Sequence, residues 1–136
     1  YRFPTIRICD FSVQEYSNIT YKKPAAIWYK GNKYNVSTWK GMLIHVCTLL
    51  CKENLDKFKS FANDVSMQGK KKARFTYDAK ELRKGKEINN LGIFVETNLS
   101  ANDIRNIIIS MLEKYEISTD AIKIYLSKDF TELHKD

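Results

Sequence analysis

Apolar side chains recur every three or four residues in three parts of the chain, which is the spacing of helices buried on one side. The first predicted helix follows Ser37 and the second follows Asn54, two residue types favoured at N-caps. The predicted inner face of the second helix extends to Val65. The third helix follows Ser100 and has Asp103 at its third position, as in a capping box. Its apolar face is Ile104, Ile107, Ile108, Met111, Leu112 and Tyr115.

Short β-prone runs lie between and beside these helices. Residues 26–29 and 34–36 flank Gly31-Asn32 and predict a β-hairpin, because glycine tolerates the positive φ of tight turns. Two further strands are predicted at 74–77 and 92–97, and the second is apolar at its centre, which favours a central position in its sheet. The last predicted strand alternates Ile122, Ile124 and Leu126 with Lys123, Tyr125 and Ser127. The polar stretch between residues 78 and 90 is interpreted as a loop.

The order of these elements, β-β-α-α-β-β-α-β, predicts an α+β fold in which a small mixed sheet is covered by about three helices. Residues 24–136 are interpreted as a single domain of this class. Residues 1–23 alternate only loosely and are predicted to form an N-terminal arm or an edge strand. The chain opens without methionine or a targeting signal, so we expect it to be a fragment of a longer protein.

The composition excludes a disordered tail, since 43% of the 136 residues are hydrophobic and 12% are aromatic. Three cysteines are too few and odd in number for a disulfide framework. Cys47 and Cys51 are four residues apart in a predicted helix, so we expect both to be reduced and buried on one face. Together with the lack of an apolar run long enough to span a bilayer, this predicts a cytoplasmic protein without membrane contact.

Positive charge is concentrated in one segment. The chain has 23 Lys and Arg against 16 Asp and Glu, a net charge of +7, and residues 70–86 hold eight basic residues against two acidic ones. Such a segment attracts polyanions, nucleic acid first, although a solvated loop is the alternative interpretation. Lysines also flank the aromatic hairpin. The predicted nucleic-acid-binding residues are Lys70, Lys71, Lys72, Arg74, Lys80, Arg83, Lys84 and Lys86, with Lys30 and Lys33 of the hairpin.

No motif predicts catalysis, a metal or a cofactor. His45 lies close to Cys47 and Cys51, but the paired cysteine spacing of a structural zinc site is missing. Glu96 ends a predicted strand without the following lysine that a common nuclease pattern needs, and there is no phosphate-binding glycine loop. We therefore expect no catalytic residue, no metal ligand and no cofactor in this chain.

Two stretches, residues 29–40 and 92–104, carry a resemblance to known proteins. They resemble a small accessory domain found at the ends of bacterial restriction-like and phage-defence proteins, and the likeness covers roughly residues 24–127. The resemblance implies an accessory, restriction-associated role that faces nucleic acid. No functional residue of this chain is assigned from the resemblance.

Charge and resemblance together predict a non-catalytic accessory module that contacts nucleic-acid phosphates through its basic segment. We expect DNA as the partner in preference to RNA, with other domains of the parent protein as further partners. Two alternatives stay open: a protein-interaction or oligomerisation module of a larger defence assembly, and a small metal-dependent nuclease.

Overall fold

The computed structural model describes residues 5–7 and 23–126, and within them the chain has an α+β fold. The strands are β1 (Thr5–Arg7), β2 (Pro24–Tyr29), β3 (Asn32–Asn35), β4 (Phe75–Thr76), β5 (Gly85–Glu87), β6 (Phe94–Glu96) and β7 (Ile122–Leu126). The α-helices are α1 (Trp39–Glu53), α2 (Leu55–Ser60) and α3 (Ala101–Lys114). The predicted α+β class is confirmed. The strands, however, form two antiparallel sheets instead of one mixed sheet, because β4, β5 and β6 pair only with one another.

Contacts divide the chain into two compact units. The first unit comprises residues 1–42 and 100–136, and the second comprises residues 43–99. In sequence, the second unit therefore interrupts the first. The hydrophobic pattern gives no sign of this division, since α1 runs without a break across its first boundary.

The sheet of the first unit has the strand order β1-β7-β2-β3. The predicted hairpin is confirmed as β2 and β3, joined by Lys30 and Gly31, whose φ angles of 47° and 88° give the primed turn that suits a twisted hairpin. In β7 the predicted alternation is also confirmed, with the isoleucines and Leu126 buried and Lys123 and Tyr125 half-buried. β1 is an edge strand beside β7. The predictions for residues 1–4 and 8–22 fall outside the described residues.

Helix α3, in the first unit, buries an apolar face. Ser100 caps it by accepting a hydrogen bond from the Asp103 amide at 3.1 Å, as its sequence predicts. Five of the six predicted apolar positions are buried: Ile104, Ile107, Ile108, Met111 and Leu112. Tyr115, the sixth, is half-buried and is the C-cap residue, and Arg105 is buried as well.

The role of α3 can be tested at Ile108, which is fully buried. Ile108→Val removes one buried methylene, and we expect it to lower the free energy of unfolding by about 0.5–1.5 kcal/mol. Urea denaturation followed by circular dichroism measures this difference. An unchanged midpoint would mean that this face of α3 contributes nothing to the core.

Helix α1 begins one residue later than its sequence suggests. Thr38, and not Ser37, accepts the hydrogen bond from the Gly41 amide at 2.9 Å. The prediction of Ser37 as the N-cap is therefore wrong by one residue, because serine and threonine are both good N-caps and only the backbone path decides between adjacent hydroxyls.

Three phenylalanine rings form the centre of the second unit. Phe58, Phe61 and Phe75 are each at most 1% exposed, and their ring centroids lie 5.3–5.9 Å apart in edge-to-face and tilted arrangements. The adjoining sheet has the order β4-β6-β5, so β6 is central, as the apolar run at its start predicts.

The second predicted helix is shorter than expected. Asn54 caps α2 through a hydrogen bond from the Lys57 amide, as predicted, but the helix ends at Ser60 and gives way to two 3₁₀ turns. The assignment of Val65 to an inner face is therefore wrong: its side chain is 88% exposed, and Met67 is buried instead.

Both cysteines of α1 are buried and free, as predicted. Burial, and secondarily the neighbouring Cys51, raises the pKa of the Cys47 thiol. Burial likewise raises the pKa of Cys51, against smaller opposing effects of Asn89 and Lys59. Both thiols are therefore protonated at neutral pH and are poor nucleophiles. Over residues 23–126, none of the helices combines the length and the apolar character needed to cross a membrane.

Candidate anion-binding site

The lysine loop, defined here as residues 69–73, is held at both ends by one side chain. The Oε1 atom of Gln68 accepts hydrogen bonds from the backbone amides of Arg74 at 2.7 Å and Phe75 at 3.0 Å. Its Nε2 atom donates to the Phe61 carbonyl at 2.7 Å. Gln68 thus ties the start of β4 to the 3₁₀ turn that follows α2, and the loop between them has fixed ends.

A backbone hydrogen bond closes the lysine loop. The Gly69 amide donates to the Lys72 carbonyl at 3.0 Å, and a Cβ atom on Gly69 would lie only 2.9 Å from that oxygen. This close approach of two backbone segments requires glycine. The three lysines between these points, Lys70 to Lys72, are exposed.

Glu96, at the end of β6, is surrounded by backbone donors. Its Oε1 atom accepts from the Arg83 amide at 2.8 Å, and its Oε2 atom accepts from Lys84 at 2.9 Å and from Thr97 and Asn98 at 3.1 Å each. The side chain is only 6% exposed. The carboxylate therefore joins the segment before β5 to the end of β6 through four amides.

These donors govern the charge of Glu96. Burial opposes ionisation, but the amides of Arg83, Asn98, Lys84 and Thr97 together outweigh it and lower the pKa of this carboxyl below its usual range. Glu96 is consequently ionised at neutral pH, and both of its oxygens are engaged by the protein itself.

The second sheet also connects this segment to the lysine loop. The Glu96 amide donates to the Arg74 carbonyl at 2.9 Å. Thr97 donates to the Lys84 carbonyl through both its amide, at 3.0 Å, and its hydroxyl, at 2.6 Å. The three segments at residues 69–74, 83–84 and 96–98 are thereby fixed to one another.

A pocket of about 450 Å³ lies where these segments meet, within the second unit. Five basic side chains and one acidic side chain line it, and the acidic one is Glu96. Among the described residues, neither the three loop lysines nor Arg83 forms an ion pair. The lining residues are Gly69, Lys70, Lys71, Lys72, Ala73, Arg74, Arg83, Glu96, Asn98 and Leu99. The pocket therefore presents a concentrated positive charge on a hydrogen-bonded framework.

The structure brings half of the predicted binding residues together at this pocket: Lys70, Lys71, Lys72, Arg74 and Arg83. The other three of the basic segment do not line it. Lys80 lies in the 3₁₀ turn Ala79–Glu81 and Lys86 in β5, and both are exposed, as is Lys84. Lys30 and Lys33 belong to the first unit, where their Nζ atoms lie 5.3 Å and 4.8 Å from the ring centroids of Tyr29 and Tyr125.

Sequence reasoning missed the residues that build the framework. Gln68 and Gly69 appear in the sequence only as a break in the helical pattern, and Glu96 stands out only as a candidate nuclease carboxylate. The sequence signal that Glu96 does give is its position as a charged residue at the end of an apolar strand. Nothing in the sequence indicates that residues 83–84 supply its donors.

Residues 23–126 contain no group of three His, Cys, Asp or Glu side chains placed to hold a metal ion. Comparison with protein-family models, with curated proteins and with solved structures finds no match to the chain.

Proposed function

We propose that this chain is a non-catalytic nucleic-acid-binding module, and that it contacts phosphates through the pocket beside the lysine loop. The observation that carries the proposal is the gathering of five basic side chains around one pocket. In the sequence these residues are spread from position 70 to position 83.

The electrostatics of the pocket suit a polyanion. Its only acidic side chain, Glu96, accepts four backbone hydrogen bonds, so its charge is offset by amide dipoles instead of by the basic side chains. Lysine and arginine contacts to phosphate supply affinity with little sequence information. The expected activity is therefore binding with weak sequence preference.

The framework lowers the cost of binding. Gln68 and the closing bond of Gly69 fix the backbone of the lysine loop before any ligand arrives. A preorganised loop loses less conformational entropy on binding than a flexible one. Only the lysine side chains remain to be ordered.

The resemblance to restriction-associated accessory domains implies a role that faces nucleic acid, alongside other domains of a longer protein. DNA is the partner proposed first, and duplex DNA is a suitable first probe. The proposal includes a cytoplasmic setting, which the free, buried Cys47 and Cys51 support.

A salt titration of the wild-type protein tests the proposal. If all five pocket cations contact phosphates, log K for a fluorescent duplex should fall against log salt with a slope of about −4 to −5. Fluorescence anisotropy at several salt concentrations measures this slope. The same samples, incubated with and without Mg²⁺ and run on a denaturing gel, should show intact DNA.

Two results would contradict the proposal. Absence of binding at low salt would favour the protein-interaction alternative, in which the pocket meets an acidic partner. Cleavage that depends on Mg²⁺ would favour the nuclease alternative.

A further inference from the structure

A second cationic and aromatic surface lies on the sheet of the first unit. The buried face of this sheet carries the isoleucines of β2 and β7, and the alternation of each strand places Trp28 and Tyr125 on the opposite face. In the strand register Trp28 lies between Lys33 of β3 and Lys123 of β7. We call these four residues the aromatic sheet face.

The lysines of the aromatic sheet face lie against its rings. The Lys123 Nζ atom is 5.0 Å from the Trp28 ring centroid, and the Lys33 Nζ atom is 4.8 Å from that of Tyr125. Both distances are within the range of cation–π attraction. Lys33 is exposed and the other three side chains are half-buried, so each of the four keeps some surface that a ligand can reach. A base that stacks on a ring takes the place of the lysine that lies over it.

The residue opposite Tyr125 is small and buried. Its partner in β2 is Ala26, which is 1% exposed. Residues directly opposite each other on a sheet face have Cβ atoms about 4.5–5.5 Å apart, so a large side chain at position 26 would lie against the tyrosine ring. Ala26 itself is covered, and the surface that a ligand can reach on this face is that of the rings and the lysines.

We propose that the aromatic sheet face binds single-stranded nucleic acid, with unpaired bases stacking on Trp28 and Tyr125 and phosphates contacting Lys33 and Lys123. This combination of π surfaces with flanking cations matches a strand that alternates flat bases and anionic phosphates. An acidic peptide would satisfy the lysines and leave the rings unused. An apolar partner would have to bury two ammonium groups. The inference concerns a different surface from the pocket and does not depend on it.

Trp28 can report its own contact with a base. The chain has two tryptophans, Trp28 and Trp39, so Trp39→Phe leaves Trp28 as the only indole. Titration of this variant with oligothymidylate of about 12 nucleotides, within the range that a stacking surface covers, should quench the Trp28 fluorescence. The reciprocal variant, Trp28→Phe, keeps Trp39 and should show no comparable quenching.

Affinity measurements test the stacking itself. Trp28→Leu keeps an apolar side chain but removes the ring, and it should weaken binding of oligothymidylate about 5- to 160-fold, the range measured for losing one stacked base. Tyr125→Leu should weaken it in the same way. Neither variant should change the affinity for duplex DNA, whose bases are already stacked. Thermal melting of each variant shows whether the fold is retained. If Trp28→Leu does not fold, Tyr125→Leu and the titration of Trp28 fluorescence still test the proposal.

The proposal fails if the wild type does not bind oligothymidylate, if saturation leaves Trp28 fluorescence unchanged, or if Tyr125→Leu binds as the wild type does. These outcomes do not affect the proposed function of the pocket, which is tested with duplex DNA and with variants of the second unit.

Discussion

Glu96→Ala is expected to lower the free energy of unfolding by about 3 kcal/mol, because hydrogen bonds to a charged group contribute about 1.5–3 kcal/mol each and only some of the freed donors can be satisfied by water. The variant removes the acceptor of the Arg83, Lys84 and Asn98 amides, while the Thr97 amide keeps its second acceptor, the Lys84 carbonyl. Urea denaturation measures the loss. Hydrogen exchange should show the largest loss of protection at the amides of Arg83, Lys84 and Asn98.

Glu87→Ala is the matched control for this substitution. Glu87 lies in the neighbouring strand β5, and its carboxylate accepts one backbone hydrogen bond, from the Gly92 amide at 2.9 Å. That hydrogen bond is exposed to solvent, so water can replace the lost acceptor and the substitution should cost about 1 kcal/mol or less. If the two variants were equally stable, the four-donor arrangement around Glu96 would have no special structural role.

The lowered pKa of Glu96 also predicts how stability depends on pH. A carboxyl whose pKa is lower in the folded than in the unfolded state contributes stability above its unfolded pKa, and this contribution is lost as pH falls through the folded pKa. Stability should therefore begin to fall near the ordinary glutamate pKa of 4.5 and continue to fall below it. Glu96→Gln does not titrate, so its stability should depend less steeply on pH in this range. An equally steep dependence would assign the acid sensitivity to other carboxyls.

The pattern of apolar residues was sufficient to predict the α+β class, the β2–β3 hairpin, the face of α3 and the central position of β6. These elements bury one face, and burial imposes the period that can be read from the sequence. β5 was interpreted as a loop because its residues, Gly85, Lys86 and Glu87, are polar and largely exposed. A three-residue edge strand has no buried face to leave a signal. The division of the strands between two sheets depends on pairing between distant residues, which local periodicity does not encode.

The candidate site was predictable only as a concentration of charge. The run at positions 70–72 marks the lysine loop, but proximity in sequence also suggests Lys80, Lys84 and Lys86, which do not line the pocket. Gln68 and Glu96 act through backbone amides, and the sequence does not show which amides a side chain meets. On the first unit, the outward residues of β7 were identified, while their alignment with Trp28 depended on the strand register. The resemblance to defence-associated domains stays a prediction.

The basic segment itself supplies the comparison that tests the central claim, namely that the pocket binds phosphates. In one triple variant Lys70, Lys71 and Lys72 are replaced by alanine, which removes three pocket cations. In the other, Lys80, Lys84 and Lys86 are replaced, which removes the same charge from the same segment outside the pocket. All six side chains are exposed, so both proteins should fold, and their melting temperatures provide the check.

The most direct measurement is the salt dependence of duplex DNA binding by the wild type and these two triple variants, followed by fluorescence anisotropy. Replacing Lys70, Lys71 and Lys72 should make the slope of log K against log salt shallower by about 2 to 3 and weaken binding about 100- to 500-fold in about 0.1 M salt, since each lost phosphate contact changes the slope by about 0.7–0.9. Replacing Lys80, Lys84 and Lys86 should leave the slope close to that of the wild type. Equal losses in the two triple variants, or a lysine-loop variant that binds as tightly as the wild type with the same slope, would contradict the account.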